Sequence, residues 1–465
     1  MTHLPAPSPA LPATRPHTVV PPLLRRYAPV LPVVLLVALL ALPVPAEGAT
    51  SGGGTGTVAD AVSALVVGHC VLRAVRARRR PLTRTAAVLF GMPVVGITVA
   101  AFGASSAATG VAGAARYLQI FVLVPAAVLL LIRDASHFRL LAWSFVALGL
   151  WQGVIGVHQY LTGTGASYMG EDIRAVGTFG STDVMGMATV VSYGLISSLA
   201  LAHRPRAPRQ RTAALVCAAL LTVPLALSFS RGAWIATAAG CAAVLLLAGV
   251  RRAARALLAA GAAAVVLVAG LGVGSAMLQE RLSSITQVTD APDQSVTDRY
   301  TMWAASADMW RAHPVTGVGL KGFPGHRDSH ASLALSSGSD TAGAGSGFVR
   351  QPLLSPHNMY LLVLGEQGLL GLTALAGCWA GLVVCGVRRW KGQRARRDGP
   401  DGPSGPGGPE LDCALVACGL LAWQLVDFMY ADIGGPSTVL TAGALGLIAW
   451  WSVGLRGGPG EADAR

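Results

Sequence analysis

Charged residues are scarce in this sequence. They make up 12% of its 465 residues, about half the share of a soluble domain. That shortage excludes a water-soluble fold with an ordinary surface. Short segments of strict apolar–polar alternation are also missing, which excludes a membrane-spanning β-barrel. Cysteine is sparse, with seven in all. None forms a C-x-x-C pair and none lies between residues 279 and 355. The seven are expected to be small buried hydrophobes, and the chain needs no disulfide framework. No internal repeat is visible, which weighs against a transporter built from duplicated halves.

What remains is hydrophobic. Apolar residues reach 53% and gather in runs near 20 residues, the length that crosses a bilayer as a helix. The pattern predicts an all-α, polytopic membrane helix bundle of about twelve transmembrane helices. They fall near 27–46, 57–73, 86–104, 114–132, 140–161, 182–202, 212–229, 232–250, 256–278, 357–387, 411–430 and 435–455. The span from 357 is long enough to tilt, or to break near Gly365–Gly371. A net charge of +13 would suggest nucleic acid if it formed one patch, but its placement excludes that partner. All but nine of the 35 Lys and Arg fall in segments that alternate along the chain, and the opposite loops are nearly free of them. This is the positive-inside pattern of a cell-membrane protein. It puts both termini in the cytoplasm and turns the longest loop outward. The expected organisation is a disordered Pro-rich tail over 1–24, nine spans over 25–278, a large extracytoplasmic loop over 279–355 and three spans over 356–455. A flexible cytoplasmic linker occupies 388–410, and a second tail 456–465.

Residues 279–355 carry the polar chemistry. The run 298–312 reads as a helix with Arg299, Trp303, Ser306 and Trp310 on one face. Two tryptophans on one face suit the membrane interface. A Gly-rich turn follows from Pro314 to Gly322. Pro356 then opens the next span, favourable where its missing N–H has no partner. It leaves His357 at the outer surface, and histidine is the side chain best suited to exchange protons near neutral pH. Arg231 lies in Ser228-Phe229-Ser230-Arg231-Gly232, between two apolar runs. A guanidinium at such a boundary must be paired, snorkel or meet water. Its planar fork also matches phosphate. His326 and His330 stand four apart with no carboxylate in register, so no metal site is expected. His158 and Glu366 are ionisable groups in or near spans, which either mark function or pair within the bundle.

Three separated motifs can be read together. Ser230-Arg231-Gly232 follows an apolar run. Arg299-x-x-x-Trp303 leads to His313-Pro314-Val315-Thr316-Gly317-Val318-Gly319. Pro356-His357-Asn358 precedes Leu364-Gly365-Glu366-Gln367-Gly368-Leu369-Leu370-Gly371. In order, spacing and topology this combination resembles the O-antigen ligase and O-antigen polymerase superfamily, over roughly 150–380. Arg174–Gly180 is similar to the family's segment before its middle helix. The family often has an asparagine just after it, and here Asp183 stands near that place. The resemblance implies a GT-C-like membrane glycosyltransferase with neither cofactor nor metal. Such an enzyme takes a glycan from undecaprenyl diphosphate and passes it to a hydroxyl of a saccharide or lipid-linked glycan acceptor. It implies that Arg231 and Arg299 hold the diphosphate and that His357 activates the acceptor. Arg174, Trp303, Trp310, Asn358 and Glu366 are the candidate substrate contacts. A polymerase of lipid-linked repeat units is the neighbouring possibility. A flippase for a lipid-linked glycan and a docking scaffold are rivals of another class. The flippase needs ionisable residues deep in several spans, and only Asp60, His69, Glu366 and Asp427 qualify.

Overall fold

A computed structural model of the chain describes residues 26–43, 57–78, 81–166, 174–183, 185–204, 207–249, 294–332, 335, 340–341, 348–349, 353–398 and 410–454. Its first half comprises α1 (Leu31–Leu39), α2 (Val58–Ala77), α3 (Arg84–Phe102), α4 (Ala107–Leu118), a π-helical turn (Gln119–Leu123), α5 (Val124–Leu131) and α6 (Ala135–Thr162). A 3-10 turn (Gly177–Thr182) then leads to α7 (Gly186–Leu201), α8 (Pro208–Leu227) and α9 (Arg231–Ala248). The second half comprises α10 (Gln294–Ala312), α11 (Phe323–His330), α12 (Met359–Asp398), α13 (Leu411–Asp427) and α14 (Thr438–Val453). One two-residue antiparallel strand pair, Asp340–Thr341 with Phe348–Val349, is the only sheet among the described residues.

The fold is all-α. Seven described helical stretches are long and apolar enough to cross a membrane: α2, α3, Ala107–Leu131, α6, α8, α9 and Met359–Arg394. α7 and α14 are apolar but shorter. Every expected span except 256–278 coincides with a helix, the first only over α1. The span 256–278 lies outside the described residues, as do the expected tails at 1–24 and 456–465, the middle of the linker, and most of 331–347.

Lipid tails are as apolar as leucine, so helices in a bilayer are held together by close packing rather than by escape from water. Here small residues supply it. A Cβ on Gly96 of α3 would lie 2.7 Å from the Cα of Gly371 on α12, and one on Gly240 of α9 would lie 3.0 Å from the carbonyl oxygen of Gly419 on α13. One buried ion pair ties α6 to α13: Arg139 Nε and Nη2 reach the two oxygens of Asp412 at 2.6 and 2.8 Å.

α12 is broken at Gly368, whose φ of 63° and ψ of −162° leave the helical region. A broken helix at membrane depth exposes peptide groups that must find partners in the protein. Residues 314–320 supply them. Val318 N donates to Gly365 O at 2.9 Å and Gly319 N to Glu366 O at 3.0 Å. Leu369 N donates to Pro314 O at 2.9 Å and Leu370 N to Val315 O at 3.1 Å. The loop continues to the end of α3, where Leu320 N donates to Ala100 O at 3.0 Å. Met302, Ala305 and Met309 of α10 close a small apolar cluster with Val318, Phe323 and Leu362. So α10 seats on α12 through buried side chains.

Candidate functional site

The site is assembled on the turn that follows α13. The helix ends when Tyr430 N and Ala431 N both donate to Asp427 O, at 2.7 and 2.8 Å. This leaves the carbonyls of Phe428, Met429 and Ala431 free to accept elsewhere. Met359 N donates to Phe428 O at 2.8 Å and to Ala431 O at 3.1 Å. Asn358 Nδ2 donates to Met429 O at 3.1 Å, while Asn358 Oδ1 accepts Leu361 N at 3.1 Å and so caps α12. The start of α12 is thereby fixed to the 428–431 turn.

His357 stands one residue before that cap, in the left-handed backbone region at φ 49°. A non-glycine residue there costs on the order of 1–3 kcal/mol and persists only where its surroundings impose it. Sequence reading starts the helix at His357 on the strength of Pro356. The structure starts it at Met359, because Asn358 is a better cap than the preceding pair. Pro356 O instead accepts the indole Nε1 of Trp303 at 2.8 Å. Trp303 also meets Tyr300 edge to face at 5.5 Å. The indole thus joins α10 to the His357 segment.

The charges around His357 come from two directions. Crowding by protein atoms holds its imidazole below the ordinary value although the residue keeps open surface, and the Arg299 guanidinium acts in the same sense while Asp432 opposes both. Asp432 Oδ2 is buried without a hydrogen-bond partner among the described residues. Arg299 also acts on Asp427, as do Asp432 and Asp183. Asp183 Oδ2 accepts Ser437 N at 3.0 Å at the start of α14. Burial raises the Asp183 carboxyl above the usual carboxylate value, against the Ser437 hydrogen bonds and the Arg116 charge.

The start of α9 packs on the same turn. Phe229 takes φ 48°, Ser230 Oγ accepts Ala233 N at 3.2 Å, and Arg231 is the first residue of α9. Gly232 then lies against Tyr430, where an added Cβ would come within 2.7 Å of the tyrosine Cβ. Arg231 and His357 therefore border one turn, 427–432. Arg174 belongs to a neighbouring segment. Its backbone pairs with Ala166, and Ala175 N donates to Leu227 O at 3.2 Å, at the foot of the Arg231 turn. Two glutamines of α6 hold that segment down. Gln159 Oε1 accepts Val176 N and Gly177 N, and Gln152 Oε1 accepts Thr178 N.

Two further expected contacts are Glu366, on which the Asp432 charge acts, and Trp310. Both oxygens of Glu366 are engaged by protein: Oε1 accepts Phe323 N at 3.2 Å and Oε2 accepts Tyr117 OH at 3.4 Å. Trp310 lies two turns beyond Trp303 on α10, its buried Nε1 without a partner among the described residues. Sequence reading missed Asp432. The signal was present: an aspartate just past a span, followed by Gly434-Gly435-Pro436, in a stretch free of basic residues.

Arg231, Arg299, His357 and the carboxylates Asp183, Asp427 and Asp432 all lie near the ends of helices in this bundle. Residues 213–376 match the family model described as O-antigen ligase. The match covers Arg231, Arg299 and His357 and ends before Asp427 and Asp432. No curated protein matches the chain.

Proposed function

We propose that the chain is a GT-C-like glycosyltransferase that moves a glycan from undecaprenyl diphosphate to an acceptor hydroxyl on the outer face of the membrane. The observation that carries this reading is that the backbone beside Arg231 and the backbone beside His357 both pack on the 427–432 turn, with Arg299 acting on both His357 and Asp427. The leaving group is a lipid diphosphate, so negative charge grows where water is scarce. Arg231 and Arg299 supply fixed positive charge for it. One such donor stabilises a transition state by about 3–4 kcal/mol. The acceptor hydroxyl must lose a proton as its oxygen attacks the anomeric carbon. His357 takes that proton, and an imidazole held below its ordinary value is neutral and ready to do so at pH 7. Arg174 and Trp303 line the approach to the phosphates and the sugar, and Asn358 fixes the histidine segment rather than the substrate.

The test is glycan transfer from a purified lipid-linked donor by protein in liposomes. Arg299→Ala and His357→Ala are each expected to lose on the order of 10²-fold or more in kcat. Wild-type rates in both variants would sink the mechanism. Glycan joined to a separate acceptor marks a ligase, and lengthened glycan on the carrier marks a polymerase. Donor movement without a new bond would instead favour a flippase.

A further inference from the structure

Arg116, whose charge acts on Asp183, lies outside the matched segment. It lies in the last turn of α4, just before the π-helical turn Gln119–Leu123. Such turns inside α-helices recur at functional sites. Its guanidinium spans two separate parts of the fold. Nη1 donates to Asp60 Oδ1 at 2.6 Å at the start of α2 and to Gln119 Oε1 at 3.2 Å. Nη2 donates to Gly435 O at 2.8 Å, in the connection between α13 and α14. The partner at α2 is itself fixed. Asp60 closes a capping box with Thr57, and Gln119 Nε2 donates to Asp60 Oδ1 at 2.9 Å and to Ser63 Oγ at 2.7 Å. Asp183 packs against Gly435, where an added Cβ would fall 2.1 Å from Oδ2, and accepts Ser437 N at 3.0 Å. The next residue of α4, Tyr117, donates to Glu366, the carboxylate that anchors the loop between α10 and α12.

We infer that Arg116 is a positioning residue for the transfer site: it holds the 432–437 connection, and through it Asp432, in place beside His357. This inference rests on the transferase reading. The geometry is that of a clamp. One guanidinium fork joins a rigid helix start to a backbone carbonyl three residues beyond Asp432. Lysine carries the same charge but cannot donate in two fixed directions at once. Asp432 Oδ2 is buried with no hydrogen-bond partner among the described residues. Its placement therefore depends on the backbone on either side: Met359 N and Asn358 Nδ2 before it, Arg116 and Asp183 after it.

The test compares Arg116→Ala and Arg116→Lys with wild type in liposomes, with two readouts. The first is steady-state transfer. Arg116→Ala is expected to lose tenfold or more in kcat, with the donor KM within about twofold, because a misplacement near 1 Å costs up to about 10²-fold in rate. Arg116→Lys is expected to fall between. The second is the rate of carbethoxylation of His357, followed by peptide mass spectrometry, which reports the imidazole and its neighbourhood without any glycan. It is expected to change by about threefold or more in Arg116→Ala. Arg311→Ala removes an exposed ion pair with Asp308 and leaves both readouts at wild type. Wild-type kcat and wild-type His357 reactivity in Arg116→Ala overturn the inference, as does a rise in donor KM with kcat unchanged, which would make Arg116 a donor contact. If Arg116→Ala does not fold, the same two readouts on Arg116→Lys decide. If the wild-type protein transfers nothing, the transferase reading falls, and His357 reactivity still decides whether Arg116 holds Asp432 in place.

Discussion

Replacing Gly368 by alanine tests how much of the site depends on the break in α12. Gly368 takes φ 63° and ψ −162°, a backbone region closed to residues with a Cβ, and entering it costs on the order of 1–3 kcal/mol. The new Cβ would also lie 2.3 Å from Val315 O, 2.4 Å from Val315 C and 2.6 Å from Thr316 N. These are backbone atoms, so the 314–320 loop must move away. Moving it breaks the bonds from Leu369 N to Pro314 O and from Leu370 N to Val315 O, each worth about 1 kcal/mol. The expected loss is about 3–5 kcal/mol, read by reversible unfolding in mixed micelles. Transfer should fall as well, because the same loop follows the helix that carries Arg299 and leans on the helix that follows His357. The control is Gly392→Ala, on the same helix, where an added Cβ meets nothing within 4 Å and helix propensity improves by about 1 kcal/mol. A Gly368→Ala protein as stable and as active as Gly392→Ala would refute the reasoning.

Transfer should fall on the acid side as His357 takes up a proton. Its imidazole is held below the ordinary value of 6.5, so the rate should be on its plateau at pH 7 and decline only below that value. In Asp432→Asn the carboxylate that favours the imidazolium is gone, so the acid limb should move to lower pH; a limb that moves upward counts against the assignment. Arg139→Ala should destabilise the bundle by about 3–5 kcal/mol, since it leaves the Asp412 carboxylate buried and unpaired. Its side chain is 0% exposed against 13% for Arg139. Chemical unfolding measures this, and a loss below about 1 kcal/mol would mean that Asp412 finds water or another donor.

The bundle was legible in the sequence because apolar length and loop charge are local properties. The break near Gly365–Gly371 was legible for the same reason, as a cluster of glycines in a span too long for one crossing. The partner of that break was not. Nothing local says that residues 314–320 lie alongside it, because pairing of backbone groups leaves no mark on side-chain composition. Arg231, Arg299 and His357 could be picked out as ionisable groups at apolar boundaries. Their meeting place could not, since Asp183 and Asp432 stand far apart in sequence and converge only when α7 packs on α13. Trp303 was read as an interface anchor from its amphipathic ring, yet its N–H is used inside the protein. The two-residue difference at the start of α12 has a simple cause: Pro356 suggested a helix start, while Asn358 is the stronger capping signal.

A broken helix in a bilayer is commonly taken for a hinge. In this chain the break is riveted. Bending α12 at Gly368 would part four backbone hydrogen bonds at once and leave their peptide groups with neither water nor protein to meet, a cost of several kcal/mol in hydrocarbon. The two half-helices therefore behave as one stiff strut with an offset, and the loop works as its splice plate. Room for a bulky glycan has to be found by moving what lies over this strut, because the strut itself does not yield.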